Sequence, residues 1–239
     1  MVEILLQSTV AGLGTCLGAG AVLLFGPMRS GVLSLLLGFA SGIMAAVVII
    51  DLLPTSLHYG QPVICILGFL TGFLFVTGMD YFMGKAIPGH RLQQIYLRMG
   101  YLIALGIALH DLPEGIAIAA GYSASTALGP VLVLAIGMHN IPEGMATAAP
   151  LKAGGASGRL VLALNALVSL VTPLGTLLGL FILQVSKEMN ALLLALAAGA
   201  MIYIILEKLL PASIGNNGFA ALTGLVTGFL FMYGLHSLL

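Results

Sequence analysis

Two short segments of the chain combine side chains that bind divalent metal ions. They read HDLPEG at residues 110–115 and HNIPEG at residues 139–144. In each segment the His and the Glu are four positions apart, so both lie on one face of an α-helix. Two such helices facing each other would contribute two imidazoles and two carboxylates, those of His110, Glu114, His139 and Glu143. Two carboxylates neutralise one divalent cation, and this set suits zinc as well as ferrous iron, manganese or cadmium.

Two alternative interpretations of these segments stay open. A single histidine in a helix bundle is equally well interpreted as a neutral, hydrogen-bonded structural residue. An intramembrane metal-dependent hydrolase would use His-Glu-x-x-His, with both imidazoles one helical turn apart. The chain has His-x-x-x-Glu twice and no His-Glu-x-x-His, and no serine stands beside either pair as an obvious nucleophile. The two segments together favour a metal-binding protein that is not an enzyme, with the hydrolase as the alternative.

The composition requires a membrane around these segments. Of the 239 residues, 60% are hydrophobic and 7% are charged, whereas a soluble domain has about 25% charged residues. The apolar stretches are long and do not alternate, which favours helices over barrel strands. We predict an all-α membrane protein with a single domain over 1–239. Its eight transmembrane helices are predicted at about 4–25, 31–56, 62–84, 97–121, 127–150, 158–184, 190–210 and 218–238.

The depth of the two segments in the bilayer argues for a bound cation. Each segment begins more than ten residues inside its span, near the middle of the membrane. A charge at that depth costs several kcal/mol unless it is compensated, and the segments bring Asp111, Glu114 and Glu143 together. Pro113 and Pro142 lack the N–H of a helical residue, so we expect a kink and a freed carbonyl at each segment.

The basic residues predict the orientation of the chain. Seven of them fall on one side of the predicted spans, namely Arg29, Lys85, Arg91, Arg98, Lys152, Arg159 and Lys208. Only Lys187 falls on the other side. Basic residues mark the cytoplasmic side, so both termini of this multi-pass cell-membrane protein are predicted to be extracytoplasmic. Asp80, at the end of span three, is interpreted as an interfacial cap and Lys208 as a side chain that extends to the interface.

Two regions in the first and last thirds of the chain are similar in sequence. Residues 38–57 match residues 195–214 at seven of 20 positions, and GFLTGFLF at 68–75 matches GLVTGFLF at 224–231 at six of eight. Five spans separate the two copies, and an odd number reverses the direction of crossing. We therefore predict an inverted repeat that relates spans 1–3 to spans 6–8 around spans 4 and 5, a common plan among transporters.

With these motifs the sequence resembles the ZIP (Zrt/Irt-like) family of divalent metal ion transporters, of the prokaryotic type. GFASGIM in span two and AGAMIY in span seven support the resemblance. The resemblance implies a binuclear metal site and transport of metal into the cytoplasm, with zinc as the first expectation. It also implies that spans one, four, five and six move against the other four. The metal is then cargo, and no cofactor is expected.

The resemblance also implies ligands. The first site would consist of Met44 and the two His/Glu pairs, and the second of Asp111, Asn140 and the shared carboxylates Glu114 and Glu143. The chain departs from the family in two ways. Asp111 and Asn140 stand in exchanged order, and Thr172 replaces a glutamate in span six. We therefore expect a second ion to bind more weakly, or not at all.

Further residues could line the path of the ion. Met44, Asp51 and His58 are seven residues apart and share one face of span two, although Met44 could equally be a core residue and His58 a solvated loop residue. Glu207 in span seven is a candidate inner way-station. The predicted partners are divalent metal ions and the lipid bilayer. No basic run suggests nucleic acid, and the oligomeric state is left open, with a homodimer as one option.

Overall fold

The described chain is almost entirely α-helical. The computed structural model describes residues 1–24, 29–87, 91–124, 128–181 and 187–237. Within these ranges there is no β-strand. The predicted span ends at 25, 127, 182–184 and 238 lie outside the described residues.

Long helices follow one another along the chain. In chain order they are α1 (Val2–Leu24), α2 (Ser30–Tyr59), α3 (Pro62–Ala86), α4 (Leu92–Ala124), α5 (Leu128–Ala153), α6 (Gly158–Phe181), α7 (Lys187–Asn216) and α8 (Gly218–Ser237). All except α5 are long and apolar enough to cross a membrane, which gives seven candidate spans among the described residues. Helix α5 has 26 residues, but its His, Asn, Glu and Pro residues make it less apolar. The structure thus supports an all-α, multi-pass membrane protein.

Several helices are longer than the apolar stretches that predict them. Helix α4 corresponds to the predicted span 97–121 but begins at Leu92, and α7 corresponds to the predicted span 190–210 but continues to Asn216. Hydropathy marks only the part of a helix that lies in hydrocarbon, whereas the backbone hydrogen bonds continue beyond it.

Four of the helices contain irregularities that the sequence does not predict. Helix α1 is interrupted at Leu13 and α6 at Leu170, each between two α-helical halves. Helices α2 and α7 each include a π-helical turn, at Val47–Leu52 and Ile205–Leu209. In a π-helical turn the backbone hydrogen bonds join residues five positions apart instead of four. Such turns are frequent at functional sites.

Glycines bring pairs of helices into backbone contact. Gly42 of α2 lies against the carbonyl of Leu225 in α8, and Gly72 of α3 lies against the carbonyl of Leu196 in α7. A Cβ atom at either glycine would collide with the neighbouring backbone. Small residues at such crossings let membrane helices approach closely, so α2 packs with α8 and α3 packs with α7.

The helices that carry the His/Glu segments lie in the interior of the bundle. On α4, Leu102, Ile103 and Ile107 are fully buried. On α3 and α8, by contrast, large side chains such as Leu74 and Leu222 are exposed. Exposed apolar faces of this kind suit contact with lipid, and the segments in α4 and α5 are thereby kept away from it.

Candidate metal centre

The His and Glu side chains of α4 and α5 meet inside the bundle. Glu114 Oε1 lies 2.7 Å from Nε2 of His110 and 2.7 Å from Nε2 of His139. Glu143 Oε1 is 3.7 Å from Nε2 of His110. One carboxylate oxygen therefore connects the imidazoles of two helices. The ligand atoms of His110, Glu114 and His139 all lie within 4.8 Å of one another, so a single ion could contact all three.

The geometry of the pairs differs between the two helices. On α4 the pair four residues apart is in direct contact, since Nε2 of His110 lies 2.7 Å from Oε1 of Glu114. On α5 the carboxylate of Glu143 is directed to His110 of the other helix. The two imidazole rings have centroids 6.0 Å apart and planes inclined by 37°. The site is thus shared by both helices and is not two separate pairs.

This group of side chains is removed from water and incompletely hydrogen-bonded. His110 and Glu143 are each 1% exposed. Both carboxylate oxygens of Glu143, Oε2 of Glu114 and Nδ1 of His110 have no hydrogen-bond partner among the described residues. Buried polar atoms are nearly always satisfied, because leaving them unpaired is unfavourable. Nitrogen and carboxylate donors with free lone pairs fit a divalent transition-metal ion.

The residues after each histidine have different surroundings. Asn140 is fully buried, and its Nδ2 donates a hydrogen bond of 3.0 Å to the carbonyl of Ala11, near the interruption of α1. Asp111 is also fully buried, but neither of its oxygens has a partner among the described residues. The exchange of Asp and Asn therefore leaves an unpaired carboxylate on α4 and a hydrogen-bonded amide on α5.

Helix α6 places a polar stripe against α4. Its four members are buried, namely Asn165, Ser169, Thr172 and Thr176. The backbone carbonyl of Thr172 lies where a Cβ atom on Gly115 would be, directly after Glu114. The hydroxyl of Thr172 has no partner among the described residues. Within this stripe, Thr172 therefore lies beside the segment that carries Glu114.

A cavity of about 320 Å³ leads from the group toward one end of the bundle. His110 and Glu114 line its inner part, and Asp51 and Thr55 of α2 lie further along it. Thr55 donates a hydrogen bond of 3.4 Å to Oδ1 of Asp51. Asp51 belongs to the π-helical turn of α2. The cavity thus joins the predicted pathway carboxylate to two of the predicted ligands.

The other predicted pathway residues lie in different places. Met44 is fully buried and belongs to the apolar core. His58 is exposed, and its ring lies edge-on to that of Tyr59 at 5.3 Å. Glu207 is exposed in the π-helical turn of α7. Of the three residues spaced by seven on α2, only Asp51 lines the cavity.

Two polar cavity residues are not predicted from the sequence. Asn190 lies near the start of α7, and Thr55 one helical turn after Asp51. The spacing of Asp51 and Thr55 at i and i+4 is a usable signal. Asn190 has no such signal, because only the packing of α7 against α2 and α4 brings it to the cavity.

Comparisons with known proteins agree with this geometry. A sequence profile described as ZIP Zinc transporter matches residues 88–236, more than half of the chain. The chain is 34% identical to the zinc transporter ZupT of Chlorobium phaeovibrioides over 95% of this chain and 94% of that protein. The chain belongs to the ZIP family. It is also 33% identical to the ZupT proteins of Corynebacterium glutamicum (93% of each chain) and Escherichia fergusonii (87% of this chain and 85% of that protein).

The profile match includes the main features of the candidate centre in this ZIP protein. Residues 88–236 contain both His/Glu segments and Thr172 of α6. Met44 and Asp51 precede the matched region, but the alignment with the Chlorobium phaeovibrioides protein covers 95% of this chain and so extends to them. The similarity is therefore not confined to α4 and α5.

Proposed function

We propose that this ZIP protein transports divalent transition-metal ions through the cell membrane into the cytoplasm, with zinc as the preferred ion. The observation that carries this proposal is the buried group of His110, Glu114 and His139 at the inner end of the cavity. Ferrous iron, manganese and cadmium can use the same ligand types. The metal is the cargo, and the route needs no resident cofactor.

An intramembrane hydrolase is not favoured. The family and the relatives named above are transporters, and hydrolysis would need a general base in addition to the metal ligands. Both carboxylates next to the imidazoles, Glu114 and Glu143, are needed to balance the charge of a divalent ion. The arrangement therefore suits binding and release of an ion better than activation of water.

We propose four residues as ligands of the first ion. These are His110, Glu114, His139 and Glu143, with Met44 of α2 as an additional thioether. Two neutral imidazoles, two carboxylates and one divalent ion together have zero net charge. A low-dielectric interior favours such a neutral complex. Glu114 is central because it already lies beside both imidazoles.

The helix irregularities support an inverted repeat. The interruptions at Leu13 and Leu170 are 157 positions apart, the same offset as the repeat in sequence. The π-helical turns end at Leu52 and Leu209, again 157 positions apart, and each is followed by Leu-Pro. Irregularities rarely recur at one offset by chance, and this recurrence supports the proposed repeat of spans 1–3 in spans 6–8.

The contacts between helices show the same offset of 157 positions. Gly18 of α1 lies against the carbonyl of Ile141 in α5, and Gly175 of α6 lies against the carbonyl of Leu112 in α4. The two glycines are 157 positions apart, and the two carbonyls occupy the same position in the His/Glu segments. An approximate twofold that exchanges α1–α3 with α6–α8, and α4 with α5, accounts for both contacts.

We infer that α5 is the eighth span of one membrane domain. It connects α4 to α6, and under the approximate twofold it corresponds to α4, which is itself a candidate span. Helix α5 is surrounded by other helices and needs little apolar surface for lipid. Its low hydropathy then follows from its position at the centre of the protein.

The position of the cavity supports extracytoplasmic termini. Tyr59, Leu128 and Asn190, which line the outer part of the cavity, belong to the same ends of the helices as Lys187. The seven basic residues on the opposite side include Arg98 and Lys208. The cavity thus opens on the side that the charge distribution predicts to be outside.

Cysteine labelling in sealed cells tests this orientation. In a background without Cys16 and Cys65, we expect Ser237→Cys to react with an impermeant maleimide added outside, and Ser157→Cys to react only after the membrane is permeabilised. Labelling of both positions from outside would refute the topology.

A negative charge added to α6 should strengthen metal binding at the second site. Glu114, Glu143 and Asp111 supply three negative charges against the four positive charges of two divalent ions, so double occupancy is unfavourable at low dielectric. Thr172→Glu should tighten binding of a second zinc ion by about tenfold, because affinity rises with the number of charged ligands. Titration calorimetry measures both sites, and Thr172→Gln is the neutral control. Two equally tight zinc sites in the unmodified protein would show that this charge imbalance does not limit occupancy.

A further inference from the structure

The end of the bundle opposite the cavity is closed in the described residues. On the face of α4 that carries His110, Ile107 and Ile103 lie toward that end and are fully buried. Met99 is 2% exposed, and Met201 and Ile204 of α7 are fully buried. An ion held by His110 is therefore separated from this end by packed apolar side chains, whereas the cavity reaches it from the other end.

A buried carboxylate joins three helices beyond this apolar layer. Asp80 of α3 is 6% exposed. Its Oδ2 lies 2.5 Å from Nζ of Lys208 and accepts a hydrogen bond of 2.6 Å from the hydroxyl of Tyr203, both on α7. Its Oδ1 accepts a hydrogen bond of 2.5 Å from Nε of Arg98 on α4. We refer to Asp80, Arg98, Tyr203 and Lys208 as the Asp80 cluster. The interpretation of Asp80 as an interfacial cap and of Lys208 as extending to the interface is therefore wrong.

The Asp80 cluster connects two pairs of helices, each of which is joined by its own glycine-packed crossing. Helices α3 and α7 are held in backbone contact through Gly72 and Gly199. Helix α4 has its own close contact with α6 through Gly115 and Gly175. The link from Asp80 to Arg98 is polar and crosses between these pairs. The contact between Asp80 and Arg98 can therefore break while both glycine-packed pairs of helices stay together.

The internal repeat gives this link a counterpart at the open end. Lys208 and Asp51 are 157 positions apart and thus occupy equivalent positions in the two halves. Asp51 lines the open cavity, while Lys208 binds the carboxylate of Asp80. Of two equivalent backbone positions, one therefore lines the open cavity and the other binds the carboxylate at the closed end.

We propose that the Asp80 cluster is a latch that keeps the end of the protein opposite the cavity closed while the cavity is open. This inference rests on the proposed transport function, because an ion that enters through the cavity must leave through the closed end. Opening that end requires Arg98 of α4 to separate from Asp80. Removal of the Asp80 charge removes the attraction that opposes this movement and leaves the metal ligands unchanged.

The latch can be tested by accessibility, without measuring transport. In the Cys16→Ala/Cys65→Ala background, Ile103→Cys places a thiol between His110 and Arg98 on the closed side. Purified protein in nanodiscs is treated with a water-soluble maleimide in the absence of metal. Adding Asp80→Asn should raise the labelling rate about tenfold, within the range typical of coupling between conformational states. Asp80→Glu keeps the charge and should label at the rate of the parent.

A second variant separates loss of the latch from loss of the fold. Lys208→Met removes one cation from the α3/α7 side but leaves Asp80 and Arg98 paired, so it should label at the rate of the parent or more slowly. Size-exclusion chromatography and the thermal midpoint identify folded protein. If folded Asp80→Asn labels no faster than the parent, or folded Lys208→Met labels as fast as Asp80→Asn, the latch proposal is overturned. A failed transport assay would overturn the proposed function and would not change these labelling rates.

Discussion

Glu114→Gln should reduce zinc uptake into proteoliposomes by at least about 100-fold, because loss of a direct ligand should exceed the 10- to 100-fold effect of losing an outer partner. Glu114 is the only carboxylate in the described residues that lies 2.7 Å from both imidazoles of the site. The amide keeps the size of the side chain and removes the charge that balances the ion. Glu143→Gln should likewise abolish uptake, since two carboxylates are needed against two positive charges.

The control for this result is Glu3→Gln, an exposed acidic residue at the start of α1. It should transport zinc at the rate of the unmodified protein. The variants must also elute as folded protein and keep their thermal midpoint. Uptake by folded Glu114→Gln at the unmodified rate would remove this residue from the proposed site.

Gly144→Ala should destabilise the protein by about 3 kcal/mol, the upper end of the usual overpacking effect. A Cβ atom at Gly144 would collide with the backbone carbonyl of Thr15 in α1. Backbone atoms of a neighbouring helix cannot rotate away as a flexible side chain can. The thermal midpoint in detergent measures the loss. Gly115→Ala, whose Cβ would meet the carbonyl of Thr172, should behave in the same way.

Gly78→Ala is the matched control, because nothing lies within 4 Å of the Cβ it would add. In a helix, Ala is about 1 kcal/mol more favourable than Gly, so this variant should be as stable as the parent or slightly more so. Equal thermal midpoints for Gly144→Ala and Gly78→Ala would show that the close approach of α1 and α5 does not limit stability.

The main parts of the candidate centre can be predicted from the sequence because spacing on a helix is rigid. His110 and Glu114 are four residues apart, so both lie on one face of α4, where they are in contact. The pairing of α4 with α5 follows from the matching segments and from the charge balance of a divalent ion. Those inferences need no knowledge of loops or of distant contacts.

Other features depend on contacts that have no local signal. Asp80 and Lys208 are 128 positions apart, and their hydrogen bond exists only because α3 packs on α7. The interruptions of α1 and α6 fall within apolar stretches, where hydropathy is uniform. The heptad spacing of Met44 and Asp51 predicts one shared face, but a π-helical turn begins at Val47 between them and changes the angle per residue. Asp51 lines the cavity, whereas Met44 is fully buried among apolar side chains.

Anomalous diffraction from crystals soaked in zinc tests most directly whether one ion binds between α4 and α5. We predict the strongest anomalous peak within bonding distance, about 2.0–2.2 Å, of Nε2 of His110, Nε2 of His139 and a carboxylate oxygen of Glu114. Crystals of Glu114→Gln grown and soaked in the same way should lose that peak. A strongest peak away from these three side chains, or an equal peak in the Glu114→Gln crystals, would contradict the proposed metal site.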